Sequence, residues 1–399
     1  MNVFVIGQGY VGLSISTSAA KAGHNVTGFD INSELVSTLS SGKSHIEGIS
    51  DELLSELLKE KALKFSHNAA DISGSEVIVI AVPTPLDSNK EPDLSYVHSA
   101  ADFISHDLKT KALIINESTS YPGTLRNEIA QRIEAYSALN HEYASAPERV
   151  DPGNLDFSVL NTPRIVSGMT QNASRATHDF YRTFCNFVTI VETPEVAETA
   201  KLLENTFRQV NIALVNQMAL ITEKLGISIH DVIDAAATKP FGFMKFSPGL
   251  GVGGHCIPVD PTYLLHAAKE AGIPATFIEL ANDVNDGMVN RIIEIVESRV
   301  GESLVGKNVC VVGLTYKPDI ADLRESPSIR LISKLRAMGI NVKWNDSLVS
   351  GWNGETSSPV SEEDIVIIAT RHSNLELEMV RRAKFVFDCT GNTKEFETF

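Results

Sequence analysis

Residues 3–12 read Val3-Phe4-Val5-Ile6-Gly7-Gln8-Gly9-Tyr10-Val11-Gly12, and they indicate the fold class more strongly than any other part of the sequence. A short apolar run leads into a glycine turn, and residues 13–22 then have helical character. A second strand is predicted at Asn25–Phe29, directly before Asp30. The glycines at 7, 9 and 12 let the backbone approach a pyrophosphate at a helix N-terminus, while Asp30 suits a ribose diol and repels a 2′-phosphate. The pattern predicts an NAD-binding domain, and the alternative is a tight turn beside a surface carboxylate.

Further apolar runs follow at Val77–Val82 and Leu113–Ile115, and each stops at a polar or proline-containing segment. Strands that alternate with helical stretches favour parallel strands joined by crossover helices. In such a sheet, ligands bind beyond the carboxyl ends of the strands. We therefore expect a doubly wound α/β domain with several strand ends facing one crevice.

Residues 194–225 lose all strand signals and are predicted to form one long helix. Thr193 suits the N-cap, Pro194 the first helical position and Gly226 the exit. Such a helix would span ~48 Å; the alternative is two shorter helices. Its length and apolar content predict a homodimer built on this helix, through Leu202, Leu203, Phe207, Val210, Leu214 and Met218.

A second α/β unit begins near Lys307, where Val309–Gly313 reads as a buried strand with a glycine turn. A helix is predicted at Ser328–Met338, and further strands follow it. The predicted fold class is α/β, with two Rossmann-like doubly wound parallel-sheet domains joined by a long central helix and a small helical domain. The predicted boundaries are 1–192, 193–300 and 301–399.

Composition excludes several classes of protein. The chain has 399 residues, with 34 Lys and Arg against 50 Asp and Glu, and this acidity argues against a nucleic-acid partner. No apolar run approaches the ~20 residues of a membrane helix, and no basic segment precedes the first strand. The four cysteines are widely spaced and form no metal-binding or disulfide pattern. We expect a cytoplasmic protein with no metal and no membrane partner.

The segment Pro248-Gly249-Leu250-Gly251-Val252-Gly253-Gly254-His255-Cys256-Ile257-Pro258-Val259-Asp260 is the most informative one. Four glycines in six positions indicate a backbone that lies close to a ligand. A lone cysteine is more often an inert buried residue. Because Cys256 follows the glycines and precedes Asp260 by four residues, we interpret it as a nucleophile.

Four polar residues fall at helical spacing within the long helix: Glu198, Lys201, Asn205 and Arg208. One interpretation is a solvated charged face. The other is a functional face, since an uncharged Asn205 between two cations can hold an oxyanion.

Several separated motifs carry a resemblance to the UDP-glucose/GDP-mannose dehydrogenase family along essentially the whole chain. Besides the glycine turn and the Cys256 segment, they are Val82-Pro83-Thr84-Pro85, Glu117-Ser118-Thr119, Pro122-Gly123-Thr124, Pro147-Glu148-Arg149-Val150, Ala200–Asn205, Gly313–Pro318 and Asp322–Pro327. The resemblance implies a four-electron oxidation of a nucleotide-sugar C6 alcohol to a carboxylate with two NAD. It also makes residues 301–399 a UDP-binding domain.

The resemblance implies a role for each matching residue. Cys256 forms a thiohemiacetal and then a thioester, Lys201 and Asn205 stabilise the oxyanion, and Asp260 is a base partner. Glu148, aided by Thr119, activates the hydrolytic water. The cofactor-binding positions are Gly7, Gly9, Tyr10, Val11, Gly12, Asp30, Thr84, Thr119 and Arg324. The substrate-binding positions are Arg149, Val150, Lys201, Asn205, Arg208, Gly253, Tyr316 and Lys317.

Two departures from the family pattern bear on the substrate. Members that act on UDP-glucose usually have serine before the cysteine and a second glutamate after the proline-glutamate pair, whereas this chain has His255 and Pro152. The resemblance therefore favours a UDP-N-acetylhexosamine, particularly UDP-N-acetylglucosamine, with UDP-N-acetylmannosamine close to it, used for polysaccharide precursors. A family-typical arginine before the cysteine segment is absent, and Lys245 is a candidate replacement.

The alternatives are a UDP-glucose or GDP-mannose 6-dehydrogenase and, from other classes, a two-electron hydroxyacid dehydrogenase or a non-catalytic NAD-sugar binding protein. The last two have no use for Cys256.

Overall fold

Apolar strands that lead directly into glycine or polar turns build the first half of the chain. In the computed structural model, residues 1–46, 48–150, 157–361, 363–393 and 395–399 are described. The first eight strands are β1 Asn2–Ile6, β2 Asn25–Phe29, β3 Leu63–Ser66, β4 Val77–Ile80, β5 Leu113–Asn116, β6 Glu142–Ser145, β7 Arg164–Gly168 and β8 Val188–Ile190. The first six helices are α1 Tyr10–Lys21, α2 Ser33–Ser40, α3 Asp51–Lys59, α4 Ser95–Asp107, α5 Gln131–Glu134 and α6 Gln171–Arg182. Short 3-10 and π-helical turns lie at Ala69–Ile72 and Leu125–Ala130.

These strands form one sheet in the order β3-β2-β1-β4-β5-β6-β7-β8. The first six positions have the strand order of a dinucleotide-binding domain, and their pairings are all parallel. Among the described strands of this sheet, the antiparallel pair β6–β7 is the one departure from a parallel arrangement. The carboxyl ends of β2, β1, β4 and β5 therefore lie side by side at one edge.

Central strands buried on both sides explain the continuous apolar runs in the sequence. The residues of β4 are all buried, as are those of β5. Helices α1 and α6 pack on this sheet through fully buried residues, among them Leu13, Ile15 and Phe180. Burial on two faces is what a parallel sheet requires of its sequence.

The second half of the chain adds another sheet. Its helices are α7 Pro194–Leu225, α8 Ile229–Ala237, α9 Asp260–Glu270, α10 Thr276–Val300, α11 Pro327–Ala337 and α12 Leu377–Val380. Its strands are β9 Asn308–Val312, β10 Asn341–Asn345, β11 Gly351–Trp352, β12 Glu355–Thr356, β13 Ile365–Ile368 and β14 Phe385–Asp388. The parallel order β10-β9-β13-β14 places β9 where the chain turns from one side of the sheet to the other. This arrangement confirms the predicted fold class.

Helix α7 is a single helix of 32 residues with the predicted bounds, so the alternative of two shorter helices is wrong. Gly226 follows it with a φ of 68°, a conformation that favours glycine at a helix exit. None of the helices in the described part of the chain combines the length and the hydropathy that a membrane-spanning segment requires.

The chain divides into two compact units. One unit comprises Met1–Glu204 and Thr262–Gly272, and the other comprises Asn205–Pro261 and Ile273–Phe399. Each unit has a hydrophobic core of its own, built on its own sheet. The three-domain boundaries drawn from the sequence stay a prediction.

Candidate active site

The turn after β1 has the geometry of a pyrophosphate cradle. Gly7 has a φ of 89°, and a Cβ there would lie 2.5 Å from the carbonyl oxygen of Ala81. A Cβ on Gly12 would lie 1.8 Å from the carbonyl oxygen of Gly7, so this position requires glycine for close packing. A Cβ on Gly9 would meet nothing within 4 Å. Two glycines therefore serve the fold, and the third leaves open space at the start of α1, as bound NAD needs.

Asp30 stands at the end of β2, next to that turn. Its Oδ2 accepts a hydrogen bond from the backbone N–H of Gln8 at 2.8 Å, and its Oδ1 accepts one from the backbone N–H of Asn32 at 2.9 Å. The carboxylate is half-buried and fixed in orientation. Because a carboxylate accepts about four hydrogen bonds, it keeps acceptor capacity for a ribose diol.

The segments after β4 and β5 are tied together through one serine. Ser118 Oγ accepts a hydrogen bond from the Val82 amide at 2.9 Å and donates one to the Val82 carbonyl at 2.8 Å. Thr84, which is buried, and Thr119, which is half-buried, follow these points. The predicted cofactor residues of the first unit, including Tyr10 and Val11 in the first turn of α1, thus lie at the carboxyl edge of four adjacent strands.

Glu148 and Lys201 form a buried pair in the first unit. Lys201 Nζ donates a hydrogen bond to the Glu148 carbonyl at 2.6 Å and lies 4.0 Å from its carboxylate. Burial raises the pKa of Glu148, and the positive charge of Lys201 opposes that rise. A buried carboxyl beside a buried ammonium is suited to proton transfer.

Arg149 and Val150 lie directly after Glu148. The Val150 amide donates a hydrogen bond to the Glu148 carboxylate. Arg149 makes a two-point ion pair with Glu204, at 2.6 and 3.1 Å, and donates to the Pro163 carbonyl at 2.7 Å. The predicted substrate arginine is therefore held by the protein itself in this structure. Pro152 lies outside the described residues.

Sequence reasoning missed a buried ion pair beneath this segment. Arg164 donates to Glu117 at 2.6 Å, and both side chains are almost fully buried. The guanidinium stacks on Tyr181, whose hydroxyl also donates to Glu117. The pair joins the end of β5 to the start of β7. The two residues are 47 positions apart, so no local spacing in the sequence predicts their contact.

Glu198 is not part of a solvated face. Its carboxylate accepts hydrogen bonds from the amides of Gly123 at 2.7 Å and Leu125 at 2.9 Å. Burial raises the pKa of Glu198 to about 7. The Glu198 carboxylate therefore holds the turn between Thr119 and the first residue of the π-helical segment.

In the second unit, Cys256 lies in a turn at the start of α9. Its carbonyl accepts hydrogen bonds from the amides of Val259 at 3.1 Å and Asp260 at 2.8 Å. Asp260 is buried, and Asn205 donates to its carboxylate at 2.5 Å. The side chain of Cys256 is partly exposed, whereas Cys185, Cys310 and Cys389 are buried. The structure thus brings three predicted catalytic residues, Cys256, Asp260 and Asn205, into one cluster.

The glycines before Cys256 have a structural reason that the sequence does not reveal. A Cβ on Gly253 would lie 2.7 Å from Cβ of Tyr316, and one on Gly254 would lie 2.8 Å from the ring of Tyr316. A Cβ on Gly251 would lie 2.5 Å from the carbonyl oxygen of Asn285. Three of the four glycines therefore allow close packing within the unit, and a Cβ on Gly249 would meet nothing within 4 Å.

Arg324 lies in the second unit beside the cysteine segment. Its guanidinium makes a two-point ion pair with Asp322, at 2.6 and 3.0 Å. The hydrogen bond to Asp322 is the main cause that raises the pKa of Arg324, and Cys256 makes a smaller contribution to the rise. The Arg324 carbonyl accepts a hydrogen bond from the Gly254 amide at 2.9 Å. A positive charge that interacts with a thiol is the kind of neighbour that activates a cysteine.

The remaining predicted positions vary in exposure. Lys317 is half-buried after β9, and Arg208 is exposed on α7. Lys245, the candidate replacement for a family arginine, makes an ion pair with Asp234 at 2.5 Å.

An exposed apolar stripe runs along α7. Its members are separated by seven or four residues, which at about 100° per residue keeps them within about 40° of one another. They are Val196, Leu203, Phe207, Leu214, Ile221 and Leu225. Lys201 and Asn205 lie on the opposite side of the helix by the same geometry. Leu202, which the sequence suggested for an interface, is fully buried.

Fold and site together define an oxidoreductase that uses a nicotinamide dinucleotide. Three family models match the chain, described as the NAD binding domain, the central domain and the UDP binding domain of the UDP-glucose/GDP-mannose dehydrogenase family, over residues 1–185, 195–287 and 310–395. The chain belongs to this family, and the predicted resemblance is confirmed.

Relatives of known activity agree with this assignment. A UDP-N-acetyl-D-mannosamine dehydrogenase from Pyrococcus horikoshii is 35% identical, over 93% of this chain and 90% of the relative. A UDP-N-acetyl-D-glucosamine 6-dehydrogenase from Pseudomonas aeruginosa is 34% identical, over 96% and 94%. The solved structure of a UDP-D-ManNAc dehydrogenase from Pyrococcus horikoshii covers 100% of this chain and 99% of its own, with a TM-score of 0.91 at 33% identity. The chain is an NAD-dependent nucleotide-sugar 6-dehydrogenase.

Proposed function

We propose that the protein oxidises the C6 hydroxyl of a UDP-N-acetylhexosamine to a carboxylate in four electrons, with Cys256 as the nucleophile. The observation that carries the proposal is the cluster at the start of α9, in which hydrogen bonds connect Cys256, Asp260 and Asn205. A two-electron dehydrogenase needs no sulfur at its site, whereas an aldehyde must become a hydride donor before it can be oxidised again.

The reaction balances with one water consumed per sugar. When bound, NAD accepts one hydride in each of the two oxidations. The C6 hydroxyl first loses a proton as its carbon loses a hydride, which leaves an aldehyde. The thiol of Cys256 then adds to the aldehyde, so that its sulfur bonds to the carbon and its proton goes to the oxygen. Loss of that proton and of the second hydride leaves a thioester. Water cleaves the carbon–sulfur bond and releases the carboxylate and the thiol.

Lys201 and Asn205 are proposed to stabilise the oxyanion. They lie one turn apart on α7, and Asn205 is oriented by its bond to Asp260. Donors that are already oriented stabilise a developing negative charge without reorganisation. Asp260 acts as the base partner of this group.

Glu148 is proposed to activate the water that cleaves the thioester, with Thr119 as its helper. Burial raises the pKa of Glu148 towards the range in which a carboxylate is an effective base, and Lys201 keeps the charged form accessible. The glycine turn and Asp30 are proposed to bind NAD at the first sheet, and Arg324 is proposed to contact the same cofactor. The residues proposed to bind the nucleotide sugar are Arg149, Val150, Arg208, Gly253, Tyr316 and Lys317.

Two observations support an N-acetylhexosamine over glucose. His255 stands where members acting on UDP-glucose usually have serine, and relatives that cover nine tenths of this chain or more are named for UDP-N-acetylmannosamine and UDP-N-acetylglucosamine. UDP-glucose and GDP-mannose are the alternatives. The product keeps its diphosphate-activated C1 and so suits polysaccharide synthesis. A thiol nucleophile must stay reduced, which supports a cytoplasmic location.

Product stoichiometry tests the reaction. The purified chain is assayed for NADH release with UDP-N-acetylglucosamine, UDP-N-acetylmannosamine, UDP-glucose, UDP-galactose and GDP-mannose. We expect two NADH per N-acetylhexosamine consumed and a severe loss of turnover in Cys256→Ser. One NADH per product, or parental turnover in the variant, would overturn the mechanism.

Alkylation of the thiol gives an independent readout. Because the other three cysteines are buried, iodoacetamide should modify Cys256 first in the folded protein. We expect mass spectrometry to locate one fast-reacting site, which UDP-sugar protects. Fast labelling elsewhere, with Cys256 unreactive, would count against the nucleophile.

We also propose a homodimer through the apolar stripe of α7. The stripe faces away from Lys201 and Asn205 on the helix, so a partner that covers it leaves them accessible. Light scattering should report a dimer for the parent and for Lys224→Glu, an exposed change on the same helix, and a monomer for Leu214→Glu. A monomeric parent, or a dimeric Leu214→Glu variant, would remove the idea.

A further inference from the structure

We infer that Asp346 and His372 are positioning residues that fix the loop carrying Tyr316 and Lys317. This inference rests on the proposed function, in which that loop binds the nucleotide sugar. The loop follows β9 directly. Its backbone is hydrogen-bonded to side chains that follow the two neighbouring strands, β10 and β13.

Asp346 is the residue immediately after β10, and its side chain is completely buried. One carboxylate oxygen, Oδ2, accepts hydrogen bonds from the amides of Leu314 at 2.6 Å and Thr315 at 3.3 Å. The other, Oδ1, accepts from the amides of Leu348 at 2.8 Å and Val349 at 3.1 Å. Burial alone would raise the pKa of Asp346, but the hydrogen bonds from His372 and these amides bring it below its ordinary value. The carboxylate therefore stays charged while it holds the start of the loop.

His372 lies just after β13 and holds the end of the same loop. The Asp319 amide donates to His372 Nδ1 at 2.9 Å, so Nδ1 carries no proton. The proton of the neutral ring is then on Nε2, which donates to Asp346 Oδ2 at 3.0 Å. One imidazole thus connects the amide that closes the loop to the carboxylate that opens it. This tautomer follows from the hydrogen-bond pattern alone.

Further bonds secure the backbone between these two points. Thr370 Oγ1 donates to the Thr315 carbonyl at 2.6 Å, and Ser326 Oγ donates to the Leu314 carbonyl at 2.7 Å. Thr315 Oγ1 donates to the Lys317 carbonyl at 3.0 Å. Asp319 itself has a φ of 62°, a conformation that non-glycine residues rarely adopt. The loop backbone is thus specified residue by residue.

Such a specification suits a loop that must present a cation and a ring at fixed positions. Tyr316 packs on Gly253 and Gly254, so the loop is also held on the side of the cysteine segment. A lysine is a point charge on a flexible stem, so a fixed loop backbone reduces the freedom that is lost when its amine binds a diphosphate. In this scheme, the effect of His372 and Asp346 on the nucleotide sugar passes through the loop.

Substitutions of His372 separate positioning from general stability. His372→Leu removes both ring bonds, whereas His372→Gln keeps a donor and an acceptor on one side chain. We expect the KM for the UDP-sugar and the Kd for UDP to rise about tenfold in His372→Leu, with kcat and the KM for NAD changed less than about twofold. His372→Gln should recover most of the affinity.

Two further variants keep the test decisive. Leu331→Ala, a change in the core of the same unit, should lower the melting temperature without raising the Kd for UDP. Thr370→Val removes one loop bond with little change of shape and should raise the Kd for UDP about threefold, even where His372→Leu does not fold. Equal UDP affinity in the parent, Thr370→Val and any folded His372→Leu overturns the inference. A parent that binds no UDP overturns the proposed function instead.

Discussion

Both sheets continue from their first strand into a glycine turn, but the two turns lead to different structures. After β1, the chain passes through Gly7 and enters α1 at Tyr10, with Gly9 at the N-cap. After β9, it passes through Gly313 and enters α11 only at Pro327, where Ser326 caps the helix by accepting a hydrogen bond from the Ser328 amide. The first helix start is open for a phosphate, and the second is closed by its own residues.

The acidic residues after the second strand of each sheet differ in the same way. Asp30 is half-buried and bonds to two backbone amides. Asp346 is fully buried, and four backbone amides and the His372 ring occupy its oxygens. The same architecture therefore offers a carboxylate to a ligand in one sheet and uses it for internal structure in the other. The similar folds of the two sheets are therefore not a sufficient reason to expect a second dinucleotide site.

The largest expected effect comes from the second turn. Gly313→Ala would place a Cβ 2.0 Å from the carbonyl oxygen of Thr370, on a residue with a φ of 87°. We expect a loss of about 3 kcal/mol or more in the free energy of unfolding, because the backbone must move. Thermal and urea unfolding measure it, and NAD affinity of the folded protein should not change. Parental stability would show that this turn is not closed as described.

In the first turn, Gly9→Ala should change the stability little and the NAD affinity strongly. The new Cβ meets no protein atom within 4 Å, so the free energy of unfolding should fall by less than about 1 kcal/mol. Since bound pyrophosphate requires that space, NAD affinity should fall at least about tenfold, or about 1.4 kcal/mol. Calorimetric titration with NAD decides the matter. Unchanged affinity would mean that the pyrophosphate lies elsewhere.

Asp30→Ser sharpens the contrast between the two carboxylates. Without the negative charge, a 2′-phosphate is no longer repelled, and the preference for NAD over NADP should narrow by about tenfold. The matched variant Asp346→Ser should leave that preference as it is, although it lowers stability. Full discrimination retained in Asp30→Ser would remove Asp30 from the cofactor site.

The smallest expected effect is in the pH dependence of stability. The pKa of Asp346 lies below its ordinary value of 3.8 in the folded state, so its contribution is present above that pH and is lost as pH falls through the lower folded value. Between pH 4 and 3 (about one unit around the ordinary pKa), the parent should lose more unfolding free energy than Asp346→Asn does. Denaturant titrations at several pH values give the two slopes, and parallel slopes would contradict the buried ion.

The sequence predicted the elements well where the signal is local. β2 and α7 have the predicted bounds. A short strand that ends directly before Asp30, and a helix marked by Thr193, Pro194 and Gly226, leave little choice. The antiparallel pair β6–β7 was not predicted, since strand direction depends on the connection rather than on the strand. Pairing of distant residues was equally out of reach: Glu117 with Arg164, and Asp346 with His372, share no local spacing.

The glycines before Cys256 show a different limit. Their number predicts a backbone close to a ligand, whereas a Cβ on three of them would meet Tyr316 or Asn285 of the protein itself. A glycine-rich sequence indicates that some group lies close to the backbone, and the folded structure is needed to identify that group. The individual roles of the site residues stay predictions for the same reason.

Helix α7 also restricts how a chain of this kind can change in length. One residue inserted between Lys201 and Asn205 would turn the amide about 100° away from the amine and move it about 1.5 Å along the axis. The same insertion would turn the N-terminal end of the apolar stripe, which includes Val196, away from the part that runs from Phe207 to Leu225. Substitutions at exposed positions of α7 leave both alignments intact, whereas an insertion or deletion of one or two residues breaks them together. Natural variation in this helix should therefore consist of exchanges of side chains, and differences in chain length should fall in the loops outside it.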